Sequence, residues 1–130
     1  MRPPFLYELG LKKALVSLFK RINLKATFFF YNDISEHIII PSKEHEQAVY
    51  RIVQELLNNA LKHSQASNVT IKLFQKDDHL YLTYADNGIG MEFASLNYSY
   101  NTLGLSGIIT KIQSLEGKFR LNQNLTRAYI

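Results

Sequence analysis

The chain has 130 residues, a net charge of +4 and no cysteine, which fits one globular domain and excludes disulfides and cysteine-ligated zinc. Its apolar runs are too short for a membrane-spanning helix, and its first residues do not open a signal peptide. The small cationic excess fits an anionic ligand, an acidic partner or a soluble surface, and it does not by itself argue for a nucleic acid partner.

The opening of the chain predicts a junction, a helix and a strand. Residues 2–4, Arg-Pro-Pro, are stiff and cannot lie inside a helix, so the ordered domain is expected to begin just after them. Beyond Gly10, apolar residues recur at helical spacing as far as Ile22. The aromatic-rich residues 26–31 then predict a strand, and residues 32–33, Asn-Asp, predict the turn that ends it.

The middle of the chain predicts a long amphipathic helix followed by a hairpin. Ser42 is the expected N-cap of this helix, and one apolar stripe continues from Val49 to Leu61. Residues 69–74 and 80–85 alternate between apolar and polar, which is typical of half-buried strands. The residues between these two strands predict a hairpin connection.

The last third predicts a loop, a helix and two strands. Residues 91–103 lack periodicity and are interpreted as a loop, whereas residues 105–115 predict a helix that ends at Gly117. Residues 118–121 and 126–130 predict the final strands. The order of elements indicates an α+β two-layer sandwich, with helices on one face of a mixed, largely antiparallel sheet.

A polar cluster interrupts the long helix near its end. Glu55, Asn59 and His63 are spaced by four and are expected to share one helix face. The adjacent Asn58 and Asn59 are poor helix formers, which suggests a compensating role. A carboxylate and an amide one turn apart can hold hydrated Mg²⁺, and Lys62 offers a positive charge for phosphate. The alternative is an ordinary polar helix face.

Two glycine-containing segments follow. Residues 86–90, Asp-Asn-Gly-Ile-Gly, come directly after a predicted strand; their glycines let the backbone approach a ligand, and Asp86 can accept a hydrogen bond from an amino group such as that of adenine. Residues 104–107, Gly-Leu-Ser-Gly, open the next predicted helix, where free backbone amides favour phosphate. The alternatives are a hairpin turn for the first segment and a flexible loop end for the second.

In this order and with these gaps, the three segments resemble the N, G1 and G2 boxes of the ATP-binding domain of sensor histidine kinases. The resemblance covers residues 1–130 as one domain of the Bergerat-type fold, with residues 1–10 as the junction from a dimerisation domain. Residues 50–55, leading into Asn59 and residues 62–64, are similar to the subfamily of nitrate-, lipid- and quorum-sensing kinases. Within it, the chain most resembles a competence or quorum-sensing kinase of Gram-positive bacteria.

The resemblance implies ATP and Mg²⁺ as cofactors and assigns roles to the polar helix face. Asn59 is implied to ligate Mg²⁺, and Glu55 to orient or deprotonate the attacking group. Lys62 and His63 are implied to lie near the phosphates. Such roles agree with phosphoryl transfer, which depends mainly on positioning and charge neutralisation.

The resemblance also assigns the glycine-containing segments. Asp86 is implied to bind the adenine amino group, while Gly88 and Gly90 shape the adenine pocket. Residues 91–103 are implied to form a lid, beneath which the triphosphate is capped by Gly104, Leu105 and Gly107. One departure concerns residues 122–126, Asn-Gln-Asn-Leu-Thr, because the family often has Gly-x-Gly-Thr there; only Thr126 matches, so a role for this turn near adenine stays open.

The phosphoacceptor histidine of the family lies on a separate dimerisation domain, and none of His37, His45, His63 and His79 is expected to replace it. The resemblance therefore implies the cytoplasmic domain of a membrane-bound, homodimeric kinase that acts through a response regulator and has no nucleic acid partner. Two alternatives remain open. One is a free-standing serine kinase such as an anti-sigma factor, and the other is a non-catalytic nucleotide-binding module.

Overall fold

The computed structural model describes residues 4–36, 38, 40, 42–64, 67–77, 79–87, 110, 113–114, 118–121 and 125–129. The elements in chain order are α1 (Pro4–Lys25), β1 (Phe29–Ile34), α2 (Lys43–Asn59), a π-helical turn (Ala60–Ser64), β2 (Asn68–Lys76), β3 (His79–Asp86), β4 (Lys118–Leu121) and β5 (Leu125–Tyr129). The predicted loop at 91–103 and most of the predicted helix at 105–115 lie outside the described residues. None of the helices in the described part is long and apolar enough to cross a bilayer.

The five strands form one mixed sheet in the order β1-β2-β3-β5-β4. β1 runs parallel to β2, whereas every other neighbouring pair is antiparallel. Alternate residues of β2 and β3 are buried, because α1 and α2 pack on one face of the sheet and the described part of the other face has no covering layer. The predicted two-layer α+β architecture is therefore confirmed.

The first helix is bent at Gly10, which has φ 77° and ψ 168°. A positive φ is readily adopted only by glycine, so this residue separates a short leading helix from the main one. The helix includes Pro4, although the prediction placed the ordered domain just after it. Proline is tolerated there because the first residues of a helix need no intrahelical partner for their nitrogen.

The predicted turn at residues 32–33 is wrong, since β1 continues through Asn32 and Asp33 to Ile34. These two residues pair with Ile71 and Lys72 of β2. β1 is the edge strand, and both polar side chains are exposed, so extending the strand buries neither of them. The turn propensity of Asn-Asp is outweighed by the continuous pairing with β2.

The long helix packs its apolar stripe against the sheet and against α1, with Val53, Leu56 and Leu57 fully buried. An aromatic contact fixes α1 against β1. The rings of Phe19 in α1 and Phe30 in β1 meet edge to face with centroids 5.0 Å apart, a favoured aromatic geometry.

The N-cap of α2 is the predicted Ser42. Its Oγ accepts a hydrogen bond from the backbone N–H of His45 at 3.2 Å and lies 2.6 Å from His45 Nδ1. We expect Ser42→Ala to lower the free energy of unfolding by about 1 kcal/mol, because a backbone donor loses its partner. Urea denaturation measures this loss. Ser17→Ala, at an exposed position inside α1, is the matched control and should cause no loss; equal stability of the two variants would contradict the capping role.

Candidate functional site

Asp86 is the last residue of β3 and lies on the helix-covered face of the sheet. Buried and less buried residues alternate along β3, and Asp86 occupies the final buried position, with only 8% of its surface exposed. Its Oδ2 accepts a hydrogen bond from the Tyr84 hydroxyl at 2.5 Å. A buried carboxylate with more than one acceptor position can hold an amino group as well as this hydroxyl.

Tyr84 fixes the carboxylate from two residues upstream on the same strand face. Burial is the main cause that raises the pKa of the Tyr84 phenol far above its ordinary value, and the hydrogen bond to Asp86 and the charge of that carboxylate raise it further. The phenol therefore stays protonated and remains a donor to Asp86 across the physiological range. The spacing of two residues in an alternating strand places Tyr84 and Asp86 on one face, but this spacing alone does not indicate the hydrogen bond between them.

Asn87 ties the end of β3 to the start of β2. Its Oδ1 accepts hydrogen bonds from the backbone N–H groups of Ser67 at 3.0 Å and Asn68 at 2.8 Å, and its Nδ2 donates to Ser67 Oγ at 2.8 Å. Asp86 itself is paired with Val69 in the antiparallel register. The Asn87 side chain thus fixes the backbone immediately after Asp86, a role that the hairpin-turn interpretation of this segment did not include.

The polar cluster lies at the C-terminal end of α2. Asn59 is buried, with 5% of its surface exposed, whereas Glu55 and Asn58 are partly exposed. Residues 60–67 connect Asn59 to β2, whose second residue, Val69, pairs with Asp86. The chain therefore leads from the C-terminal end of α2 to the end of the sheet at which Asp86 lies.

The apolar stripe continues through Ala60, which is buried, to Leu61, which packs against the core, as predicted. The α-helix itself ends at Asn59, and residues 60–64 form a π-helical turn. Glu55 and Asn59 both lie in α2 and keep the predicted α-helical spacing. The side chain of His63 lies outside the described part of the chain, so its place on the same face stays a prediction. Lys62 is exposed in this turn.

Thr126 is in β5, where its backbone lies opposite Tyr84 of β3. The predicted glycine positions lie outside the described residues: Gly88, Gly90, Gly104 and Gly107, together with Leu105. The described part of the site therefore consists of the β3 terminus and the α2 terminus. Together they present a buried carboxylate, a buried amide and an exposed lysine, which suit an adenine amino group, a metal and a phosphate in turn.

A family profile described as "Histidine kinase-, DNA gyrase B-, and HSP90-like ATPase" matches residues 44–127. The match spans more than half of the chain and includes both Asn59 and Asp86. The chain belongs to this ATPase family. Within the family, it is an ATP-binding domain of the sensor histidine kinase type, as the relatives below indicate.

Curated relatives are sensor kinases. The chain is 34% identical over 121 residues to sensor histidine kinase ComP of Bacillus subtilis. This match covers 93% of this chain and 16% of ComP. It is 34% identical over 125 residues to LiaS of the same organism, covering 91% of this chain and 34% of LiaS. The chain therefore spans only a sixth to a third of these relatives.

Solved structures share the fold of this ATPase domain. The histidine kinase domain of the blue-light activated kinase EL346 from Erythrobacter litoralis superposes with a TM-score of 0.70 at 16% identity, over 92% of this chain and 64% of that one. The nucleotide-free catalytic domain of histidine kinase ThkA superposes with a TM-score of 0.68 at 15% identity. The match covers 92% of this chain and 88% of that one. The predicted sandwich is thus the fold of histidine kinase catalytic domains.

Tyr84 also predicts a pH dependence of stability. A tyrosine whose pKa is raised in the folded state retains its proton above the ordinary value near 10, where the unfolded chain loses it. The contribution of Tyr84 to the free energy of unfolding is therefore fully present below about pH 10. Above that pH it falls by about 1.4 kcal/mol per pH unit. Urea denaturation between pH 8 and pH 11 should show a shallower decline in Tyr84→Phe than in the unsubstituted chain. Parallel declines would contradict the assignment.

Proposed function

We propose that this domain binds ATP with Mg²⁺ and transfers the γ-phosphoryl group to a histidine on a separate dimerisation domain. The observation that carries the proposal is the Asp86 carboxylate, which is buried on the inner sheet face and held by the Tyr84 hydroxyl. A carboxylate has several acceptor positions, so Asp86 can accept a hydrogen bond from an amino group such as that of adenine in addition to the bond from Tyr84.

Asp86 would accept the hydrogen bond from the adenine amino group. At the end of α2, Asn59 would ligate Mg²⁺ through its amide oxygen, and Glu55, one turn earlier, would orient or deprotonate the attacking group. Lys62 and His63 would lie near the phosphates. Bound Mg²⁺ would neutralise phosphate charge, and the burial of Asn59 would fix its amide oxygen in position.

The remaining parts of the proposal concern Thr126 and positions outside the described residues. Gly88 and Gly90 would let the backbone approach the adenine ring. The helix start at residues 104–107 would bind the triphosphate, with residues 91–103 as its lid. Thr126, whose backbone is placed opposite Tyr84, would border the adenine pocket from β5.

The wider setting is proposed from the sensor kinase relatives. Residues 1–130 would form one catalytic domain, with residues 1–10 as the junction that leads in from the dimerisation domain. In the complete kinase this domain would lie in the cytoplasm, attached to a membrane-bound homodimer, and the histidine phosphate would pass to a response regulator.

Fusion of the dimerisation domain of ComP in front of this chain tests the transfer step. The fused protein is incubated with ATP labelled in the γ-phosphate, and the phosphorylated residue is classified by its stability in acid and base. Acid-labile, base-stable label that requires Mg²⁺ is the expected result. Acid-stable label would instead support a serine kinase, and ATP binding without any label would support a non-catalytic module.

A further inference from the structure

The outer side of β1 is an open sheet edge. β1 lies at one end of the strand order, and no described segment pairs with its outer side. The N–H of Phe29 points toward β2, since it donates to the Ser67 carbonyl at 2.8 Å. Backbone N–H groups alternate in direction along a strand, so those of Phe30, Asn32 and Ile34 point away from β2, together with their carbonyls.

This edge lacks the features that usually prevent further strand pairing. Natural edge strands are commonly short, bulged or supplied with lysine or proline. β1 pairs with β2 over all six of its residues without a bulge. Residues 27–34, Thr-Phe-Phe-Phe-Tyr-Asn-Asp-Ile, contain no Lys, Arg or Pro, and Asp33 is their only charge. An edge that is regular, open and largely apolar is a template for another strand.

Two exposed aromatic side chains on β1 favour an added strand independently of the backbone groups. Phe29 and Tyr31 are 71% and 59% exposed, whereas Phe30 between them packs against the core. The alternation therefore places Phe29 and Tyr31 on the sheet face that the helices do not cover. A strand added at the edge would place its own side chains beside these two rings, as cross-strand pairs do.

A second copy of β1 is a strand that fits this edge. Antiparallel pairing about a two-fold axis keeps the helices of both copies on one face of the sheet when odd-numbered residues lie opposite odd-numbered ones. The register that places Phe30 opposite its own copy meets this condition, and the outward N–H and C=O groups of the two copies then bond to each other. This register pairs Phe29 with Tyr31 of the second copy. Asp33 lies opposite Thr27, so no like charges face each other.

We propose that two copies of the domain associate by antiparallel pairing of their β1 strands, which gives one continuous sheet with all the helices on the same face. This contact goes beyond the proposed catalytic function and does not depend on nucleotide binding, because β2 separates β1 from β3 and Asp86. In the homodimer proposed above, the two domains would be tethered to each other, so a weak contact would suffice to pair them.

Sedimentation equilibrium of the 130-residue chain tests the proposal between about 10 μM and 1 mM, a range that reaches the effective concentration of tethered domains. We expect reversible dimers that strengthen with added salt, because salt screens the repulsion between two copies of net charge +4. Monomers throughout this range, or dimers that weaken with salt, would overturn the proposal.

Asn32→Pro removes one outward N–H group from each copy and leaves the bonds between β1 and β2 in place. It should weaken the dimer about tenfold or more, since two hydrogen bonds are lost across the axis. Asn32→Thr is the matched control, because threonine keeps the donor and favours strands, and it should associate like the unsubstituted chain. Equal association of the two variants would overturn the pairing.

Phe29→Lys keeps every backbone donor, so it tests the pairing without a proline in β1. It should weaken the dimer on the order of tenfold, because it replaces an aromatic contact with a charge at the edge. Thr83→Lys adds the same charge to the same sheet face in the central strand β3 and should leave association unchanged. Equal dimerisation of these two variants would also overturn the proposal. Calorimetric titration of Asn32→Pro with ATP separates this contact from the ATP site, and we expect the affinity of the unsubstituted chain.

Discussion

Asp86→Asn is expected to weaken ATP binding by roughly 10- to 150-fold, the range that corresponds to a hydrogen bond with a charged group. Either oxygen of the carboxylate accepts hydrogen bonds, so Asp86 can bind the Tyr84 hydroxyl and an adenine amino group at the same time. An asparagine has only one oxygen at this position. Either the Tyr84 hydroxyl or the adenine amino group would then face an NH₂ group. Calorimetric titration with ATP measures the loss.

Asp33→Asn is the control for this substitution. Asp33 carries the same charge but is exposed on the edge strand β1, so its loss should leave ATP affinity unchanged. Urea denaturation of both variants separates a binding defect from unfolding. If Asp86→Asn bound ATP as tightly as Asp33→Asn, the role of Asp86 at adenine would be wrong.

The second large effect is expected at Asn59. Asn59→Ala should reduce Mg²⁺-dependent phosphoryl transfer by roughly a hundredfold or more, since loss of a residue that only supports a metal ligand already costs up to about that much. ATP binding measured without Mg²⁺ should change much less. Asn59 is buried and makes further interactions, so we also expect stability to fall by about 1–3 kcal/mol.

Asn58→Ala provides the comparison, because Asn58 is the adjacent amide in α2 and is only partly buried. Its removal should leave transfer nearly intact. Assays are run well below the unfolding temperature of the less stable variant, so that both proteins are folded. Equal transfer by the two variants would show that Asn59 holds no metal.

The sequence was sufficient to predict most of the fold. Alternation in β2 and β3 and the apolar stripe of α2 repeat with the period of their elements, so the hairpin and the long helix were predictable. The extension of β1 through Asn32 and Asp33 was not, because it depends on pairing with β2, a distant segment. Likewise, no local pattern indicated that the α-helix changes to a π-helical turn after Asn59.

The candidate site was only partly predictable for the same reason. Asp86 and Asn59 stand out because a charged or amide side chain occurs where the period of the element predicts burial. Tyr84 reads as one more core aromatic, and only the structure brings its hydroxyl to the Asp86 carboxylate. The bonds from Asn87 to residues 67 and 68 cross between strands, which a local reading of a turn cannot indicate.

The most direct test of the central claim is a calorimetric comparison of ATP with inosine triphosphate in the presence of Mg²⁺. The two nucleotides differ at the position where adenine carries its amino group and hypoxanthine carries a carbonyl oxygen, which a carboxylate cannot bind. We predict that ATP binds and that inosine triphosphate binds at least tenfold more weakly, since the hydrogen bond from the amino group to the Asp86 carboxylate is then lost. Equal affinity for the two nucleotides, or no binding of ATP, would contradict an adenine site at Asp86.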